Sequence, residues 1–331
     1  MSGTPSTVPP VSVIMGTYNG EKFVREQIAS IQQQDFTDWQ LIIRDDGSTD
    51  NTLSIIRGIT QQDSRIQLLE DNLGNLGFND NFRHLLRQSH SPYIMFCDQD
   101  DIWLPEKISR TLEVMRNTER SQPNDTPILV HSDASIVDRQ LNPIKHHFIG
   151  ARGNIKGINA IVMAPCVQGA ASMINTALKN QALSYRHPIP YDYQCSVIAA
   201  TCGMRVFISE PLLYYRQHEH NVIGAMRNDT KPSSHPDWLF KRFPSLNNLV
   251  KYFITNKAII GQYVATQTNN KQLRQQYKEY LYLFEGKNRW KKTFIGMKNR
   301  YGFSGRKDQL GFIYGLLTQR FIFPPDRSEI S

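Results

Sequence analysis

The chain has 331 residues, 40% of them hydrophobic and 21% charged, which is enough apolar material for a full core and excludes a disordered tail or a disulfide-stapled miniprotein. Its formal net charge of +8 is unevenly placed: residues 1–234 carry 21 Lys+Arg against 24 Asp+Glu, net −3, whereas residues 235–331 carry 17 against 6, net +11. Cys97, Cys166, Cys195 and Cys202 lack paired ligand spacing, residues 1–10 are polar and Pro-rich without the pattern of a signal peptide, and no run approaches a membrane span, so the expectation is a cytoplasmic protein with reduced thiols, no zinc and a disordered N-terminus.

In chain order, residues 11–15 form an apolar strand ending in Gly16-Thr17-Tyr18-Asn19-Gly20, a turn-rich set that puts polar and aromatic groups at the strand's carboxyl end. Val24, Ile28 and Ile31 then give the stripe of a helix. Residues 40–44 make a second strand that runs into Asp45-Asp46-Gly47-Ser48-Thr49-Asp50, with Ser48 or Asp50 placed to cap a helix bearing Leu53, Ile56 and Ile59. A third strand over residues 65–69 leads to Asn72-Leu73-Gly74-Asn75-Leu76-Gly77, a loop that needs unusual backbone angles, and then to a helix with Phe82, Leu85 and Leu86.

The fourth strand, residues 93–97, ends in Asp98-Gln99-Asp100-Asp101-Ile102-Trp103. Asp98 and Asp100 lie two apart and share one face in extended geometry, where they call for a counter-charge. Either a divalent cation supplies it, or the stretch is a solvated acidic loop capping the helix with Ile108, Leu112 and Met115. Strands alternating with helices imply a mainly parallel α/β sheet whose ligand crevice lies at the strands' carboxyl ends, where these three loops fall. There is no phosphate loop of the G-x-x-x-x-G-K-[ST] type, and Gly74 and Gly77 do not complete G-x-G-x-x-G.

A strand follows at residues 127–131, and residues 138–160 read as a loop covering the crevice. Gln168-Gly169-Ala170-Ala171 allow close backbone approach, for packing or for an acceptor. Tyr191-Asp192-Tyr193-Gln194 open a helix with Cys195, Ile198 and Ala199 inside; Asp192 in its first turn either compensates the dipole or does chemistry. Strands at 204–208 and 212–215 lead into Arg216-Gln217-His218, a donor set suited to a diphosphate or metal, or to a capped loop.

From residue 236 helical periodicity takes over. Trp290, Phe294, Met297 and Tyr301 fall at i, i+4, i+7 and i+11, with Lys287, Lys291 and Lys298 on another face and a short apolar segment at 311–323. This is the form of an interfacial helix on anionic lipid, or of an aromatic stripe packed on the first domain with solvated lysines.

Taken together and in this order, residues 11–20, 44–50, 72–74, 96–103, 215–218 and 221–224 resemble the family 2 glycosyltransferases, and within them the rhamnosyltransferase-like enzymes of bacterial surface-polysaccharide assembly. The resemblance implies a GT-A fold over residues 11–230, followed by a basic, mainly helical region at 235–331. It implies a nucleotide-sugar donor held with Mg²⁺ or Mn²⁺ at a D-x-D motif, with Asp98 towards the ribose, Asp100 on the metal and His218 beside it. Tyr18 and Asp46 match the base-binding positions, and Thr17, Asn19, Gly74, Gln99 and Arg216 complete the nucleotide-sugar side.

Asp192 matches the family's catalytic base. The subgroup more often has His-Asp-Trp-Trp there, so the acid is kept and its neighbours differ. The implied reaction is inverting transfer, favoured from dTDP-L-rhamnose with a UDP-hexose as the alternative, to a saccharide or polyprenyl-linked acceptor, on the cytoplasmic side and peripheral to the inner membrane, with no nucleic acid. A nucleotidyltransferase is weaker, since residues 16–21 hold no base for a triphosphate; a carbohydrate-binding scaffold predicts loss of acids that are all present.

Overall fold

The computed structural model describes residues 8–150, 153, 167–184, 190–218, 271–286 and 288–299. Residues 1–7, 151–152, 154–160 and 221–224, Lys287, Tyr301 and the 311–323 segment, all singled out above, lie outside them. The chain divides into two compact units, residues 1–154 with 166–227 and residues 155–165 with 228–331.

In the first unit β1 (Val11–Thr17), α1 (Val24–Gln32), β2 (Trp39–Asp45), α2 (Thr52–Thr60), β3 (Ile66–Leu68), α3 (Gly77–Gln88) and β4 (Tyr93–Cys97) alternate as the spacing predicts. β1 reads as a continuous apolar run because both its faces are covered: Val11, Val13, Ile14 and Met15 are all fully buried. Helix α1 buries Val24, Ile28 and Ile31, and α3 buries Phe82, Leu85 and Leu86, so the predicted stripes are the faces that pack. β5 (Ile102–Trp103) and α4 (Lys107–Arg120) follow the acidic loop.

Then come β6 (Ile128–Val137), β7 (Pro143–Lys145), a 3₁₀ turn at Gly169–Ala171, β8 (Ser172–Asn175), α5 (Thr176–Ser184), α6 (Tyr191–Cys202) and β9 (Met204–Arg216). The sheet runs β3-β2-β1-β4-β8-β6-β9-β5, with β7 on β6. Its first four strands are parallel, as is β6 with β9, while β8 is antiparallel to β4 and β6, and β5 to β9. One half of the sheet is thus parallel, and the other half is mixed.

Three expectations are corrected. β6 runs on to Val137 with every residue buried, because Ser132, Asp133 and Ser135 are inside rather than turn formers; Asp133 accepts N–H groups from Ala134, Ile149 and Gly150. The two short strands expected near 204–215 are one strand, β9. Pro211 sits where the register jumps from Ser132↔Ile208 to Asp133↔Pro211, a bulge being where a sheet tolerates a residue without an N–H. Pro9 and Pro10, expected in a disordered tail, are tied down: their carbonyls accept from Ser91 Oγ at 2.6 Å and Tyr93 N at 3.2 Å.

In the second unit the described residues form α7 (Lys271–Glu285) and α8 (Arg289–Asn299). Lys298 Nζ meets Glu279 Oε1 at 2.7 Å, and Lys291 Nζ lies 4.4 Å from the Tyr282 ring centroid. Thr293 and Ile295 are buried, whereas Trp290, Phe294 and Met297 are 66%, 66% and 55% exposed. The aromatic stripe is therefore the outer face of α8.

Candidate active site

β1, β2 and β4 end side by side, with Thr17 opposite Asp45 and Met15 opposite Cys97, so the loops at 17–20, 45–50 and 98–101 share one rim. Polar side chains sew them together. Thr17 Oγ1 donates to Asp45 Oδ1 at 2.8 Å, Asn19 N to Ser48 Oγ at 2.8 Å, and Thr49 N back to Asn19 Oδ1 at 2.9 Å. Gln99 clamps the backbone of Tyr18 at two points, accepting from its N–H and donating to its carbonyl, both at 2.9 Å. Glycine at position 20 leaves room for this clamp, since a Cβ there would lie 2.2 Å from Gln99 Oε1 and displace it. The Tyr18 ring is left 51% exposed, free to stack on a flat group.

Beneath this rim the buried Arg44 guanidinium spends all five of its N–H groups. Nε and Nη2 grip Asp71 at 2.8 and 3.0 Å, Nη1 meets Asp46 Oδ1 at 2.8 Å and Asn81 Oδ1 at 3.1 Å, and Nη2 also reaches the Gly74 carbonyl at 2.8 Å. Asp46, expected at a base, is buried and also accepts the N–H groups of Leu76 and Gly77 at 2.7 and 2.8 Å. Gly74 and Gly77 take φ of 65° and 74°, angles that let the loop fold onto this carboxylate. Sequence reasoning missed Arg44; a lone cation at the end of an apolar strand, just before two acids, was the available signal.

At the end of β4 the carboxylates are differently placed. His218 Nε2 lies 2.9 Å from Asp100 Oδ2, with its ring stacked on Phe23 at 4.7 Å. Arg216, expected at a diphosphate, is buried and holds the loop from behind. Its Nε donates to the Asp100 carbonyl at 2.9 Å, its Nη2 to Glu26 at 2.6 Å and its backbone N–H to Asp101 Oδ1 at 3.1 Å. Asp101 is fully buried and its Oδ2 has no hydrogen-bond partner among the described residues. Burial, then the charges of Asp100 and Asp98, push its carboxyl well above the usual range. Asp98 is likewise pushed up by burial, then by Asp100 and Asp192, which identifies Asp192 as its electrostatic neighbour.

Asp192 stands in the first turn of α6, its Oδ1 accepting the Tyr193 N–H at 2.7 Å and its carboxylate also receiving the Gly169 N–H. Burial raises its pKa to about 6 against those bonds. Its predecessor Tyr191 fixes the helix start by packing on Phe82 and Phe96, with centroids at 4.3 and 4.5 Å.

Among the described residues no three His, Cys, Asp or Glu side chains converge on a ready-made metal cage. Asp98, Asp100 and His218 nevertheless fit Mg²⁺ or Mn²⁺: they offer hard oxygens and one imidazole, and burial with the charge of Asp100 disfavours the Asp98 carboxylate, a conflict that a cation would relieve. An ion of this kind takes one or two carboxylates and completes its shell with substrate phosphates and water.

Residues 12–161 match the model for glycosyl transferase family 2. Over 218 residues the chain is 28% identical to the dTDP-rhamnosyl transferase RfbG of Shigella flexneri, covering 64% of this chain and 74% of that protein. Its fold is similar to residues 1–349 of S. aureus TarS solved with UDP-GlcNAc, at a TM-score of 0.52 and 14% identity over 94% of this chain and 89% of that one. It is also similar to the mannosyltransferase PcManGT of Pyrobaculum calidifontis solved with GDP-Man and Mn²⁺, at a TM-score of 0.50 and 15% identity over 97% and 83%. These likenesses, with the sheet and the strand-end loops that the sequence pattern anticipates, give this chain the GT-A fold and, over residues 12–161, a likeness to the family 2 glycosyltransferases.

Proposed function

We propose that the chain moves a sugar from a nucleotide diphosphate-sugar to a hydroxyl of a saccharide or polyprenyl-linked saccharide, with inversion and with Mg²⁺ or Mn²⁺, in bacterial O-antigen, capsule or cell-wall polysaccharide synthesis. The observation that carries this reading is one group of acids at the end of β4: buried Asp98 feels the charges of both Asp100 and Asp192, and Asp100 lies 2.9 Å from His218. The favoured donor is dTDP-L-rhamnose, on the likeness to a dTDP-rhamnosyl transferase; a UDP-hexose is the second reading.

Asp192, with a pKa of about 6, is ionised at neutral pH and takes the proton of the acceptor hydroxyl as that oxygen attacks the anomeric carbon. The bond from that carbon to the diphosphate oxygen breaks on the opposite face, so a single displacement inverts the centre. Asp100, with Asp98 and His218 beside it, would hold the cation, which would supply positive charge for the leaving diphosphate. Tyr18 stacks on the base, and Arg216 and Gln99 keep the acidic loop and the β1 loop in register. A thermal-shift panel of nucleotide-sugars with Mn²⁺, followed by a hydrolysis assay, tests the reading: dTDP-L-rhamnose is expected to give the largest shift, and no shift with any nucleotide-sugar defeats it.

The outer face of α8, with Trp290, Phe294 and Met297 exposed in a region of net charge +11, supports peripheral attachment to an anionic membrane. No helix of the described residues is long and apolar enough to cross one. Flotation with anionic liposomes should be lost on deleting residues 285–331; equal partitioning of both forms removes the attachment.

A further inference from the structure

Gln168 immediately precedes the 3₁₀ turn that carries the Gly169 N–H to Asp192. Its own backbone is fixed, extended at φ −98° and ψ 129° with its carbonyl accepting Ala171 N at 3.1 Å. The next position admits only glycine, because a Cβ on Gly169 would lie 2.4 Å from Tyr191 Oη. Residue 168 therefore directly precedes the backbone that packs on the start of α6, one residue from a donor to the catalytic carboxylate. Both atoms of its amide, Oε1 and Nε2, are shielded from solvent, and neither has a hydrogen-bond partner among the described residues.

A shielded amide with no partner at either end is rare in folded proteins, since it gives up hydrogen bonds to water without replacement. Nearby packing does not explain it: Gly169, Ala170 and Ala171 have no side-chain polar groups, and Asp192 is already engaged with two backbone N–H groups. An amide offers one acceptor and a two-proton donor side by side. Adjacent hydroxyls of a pyranose ring present the matching pair, one receiving from Nε2 and one donating to Oε1.

We propose that Gln168 is a sugar-recognition residue, binding neighbouring hydroxyls of a pyranose that reacts at Asp192. This rests on the glycosyl-transfer reading above. The pyranose is that of the donor or of the acceptor, and two arms of one experiment separate them. Gln168→Leu removes both polar atoms without leaving a new orphan, so it should fold with unchanged or higher Tm; Gln168→Ala is the second variant.

In the first arm, calorimetry with Mn²⁺ compares dTDP with dTDP-L-rhamnose and UDP with UDP-glucose. In the second, release of nucleoside diphosphate is followed as methyl glycosides of glucose, rhamnose and N-acetylglucosamine are added. The expected result is unchanged affinity for the nucleoside diphosphates. With it, either the nucleotide-sugar weakens by about tenfold, marking the donor, or the glycoside concentration for half-maximal acceleration rises by about tenfold, marking the acceptor. Variants matching the wild type in both arms overturn the proposal and assign the amide to internal water. Equal loss of nucleoside diphosphate and nucleotide-sugar binding also overturns it, as a folding role. Wild-type protein that binds dTDP and UDP but gains nothing from any attached sugar, and responds to no glycoside, refutes the proposal alone; wild-type protein that binds no nucleotide or nucleotide-sugar refutes the underlying reading as well.

Discussion

The carboxyl ends of β2 and β4 look alike in sequence, each an apolar strand stopping in a cluster of aspartates, and they have opposite chemistry in the fold. At β2 every acid is occupied. Asp45 accepts from Thr17, Gly47 and Ser48, Asp46 from Arg44, Leu76 and Gly77, and Asp50 from Glu21 and Thr52. At β4 Asp100 meets His218 and Asp101 accepts one backbone N–H, while Asp98 and Asp101 are pushed up by burial and then by the charges of neighbouring acids. Carboxylates with full hydrogen-bond shells build the rim; those at β4 are the ones to which the proposed reading gives the cation and the donor.

The largest test of this contrast is the acid opposite the β4 end. Asp192→Asn should lower kcat by roughly two to four orders of magnitude, the scale of a lost general base, while nucleoside diphosphate affinity with Mn²⁺ stays within about twofold. An Asn variant turning over at the wild-type rate would remove Asp192 from the chemistry. Next, Asp100→Ala should abolish the Mn²⁺-dependent part of nucleoside diphosphate binding by calorimetry without lowering the Tm of the metal-free protein. A parallel loss of Tm would mean that Asp100 holds the fold as Asp46 does.

The converse change is at β2. Arg44→Met leaves Asp46 and Asp71 without their cation, and breaking such a buried pair costs about 3–5 kcal/mol, read as a lower denaturant midpoint at unchanged slope. Asp71, held down to about 2 by its hydrogen bonds to Arg44, should titrate nearer its ordinary value in any folded remnant. If Arg44→Met lowers only donor affinity and not stability, the β2 network is a ligand site rather than a frame.

The parallel half was legible because both of its signals are local: continuous apolar runs for strands covered on two faces, and helical stripes at i, i+4, i+7 in α1 and α4 and at i, i+3, i+4 in α3. The pairing of Asp100 with His218, 118 positions apart, was partly legible because each residue ends an apolar strand. The mixed half was not. In β6 a buried Asp133 reads as a turn until Ile149 and Gly150 are known to close on it, and in β9 Pro211 reads as a break until the bulge is seen. Whether an aspartate is spent or free also depends on partners from other strands, so Asp46 and Asp98 are indistinguishable in the sequence.

The smallest expected effect is in pH, and it comes from the same contrast. A carboxyl raised in the folded state, as Asp192 is to about 6, costs stability at pH above its folded value, and that cost fades as pH falls from about 6 towards its ordinary value near 3.8. A carboxyl held down, as Asp71 is, contributes stability that is lost only as pH falls towards about 2. Metal-free Asp192→Asn should therefore melt a few degrees above wild type at pH 7.5, with the gap closing by pH 4.5, because Asn keeps an acceptor for the Tyr193 N–H and sheds the buried charge. The same ionisation should give wild-type kcat/KM an acid limb near pH 6, activity falling as Asp192 takes up a proton. A gap that stays constant across this range, or a rate flat down to pH 5, would mean that the Asp192 carboxyl is not the burial-raised group that sets it apart from the acids at β2.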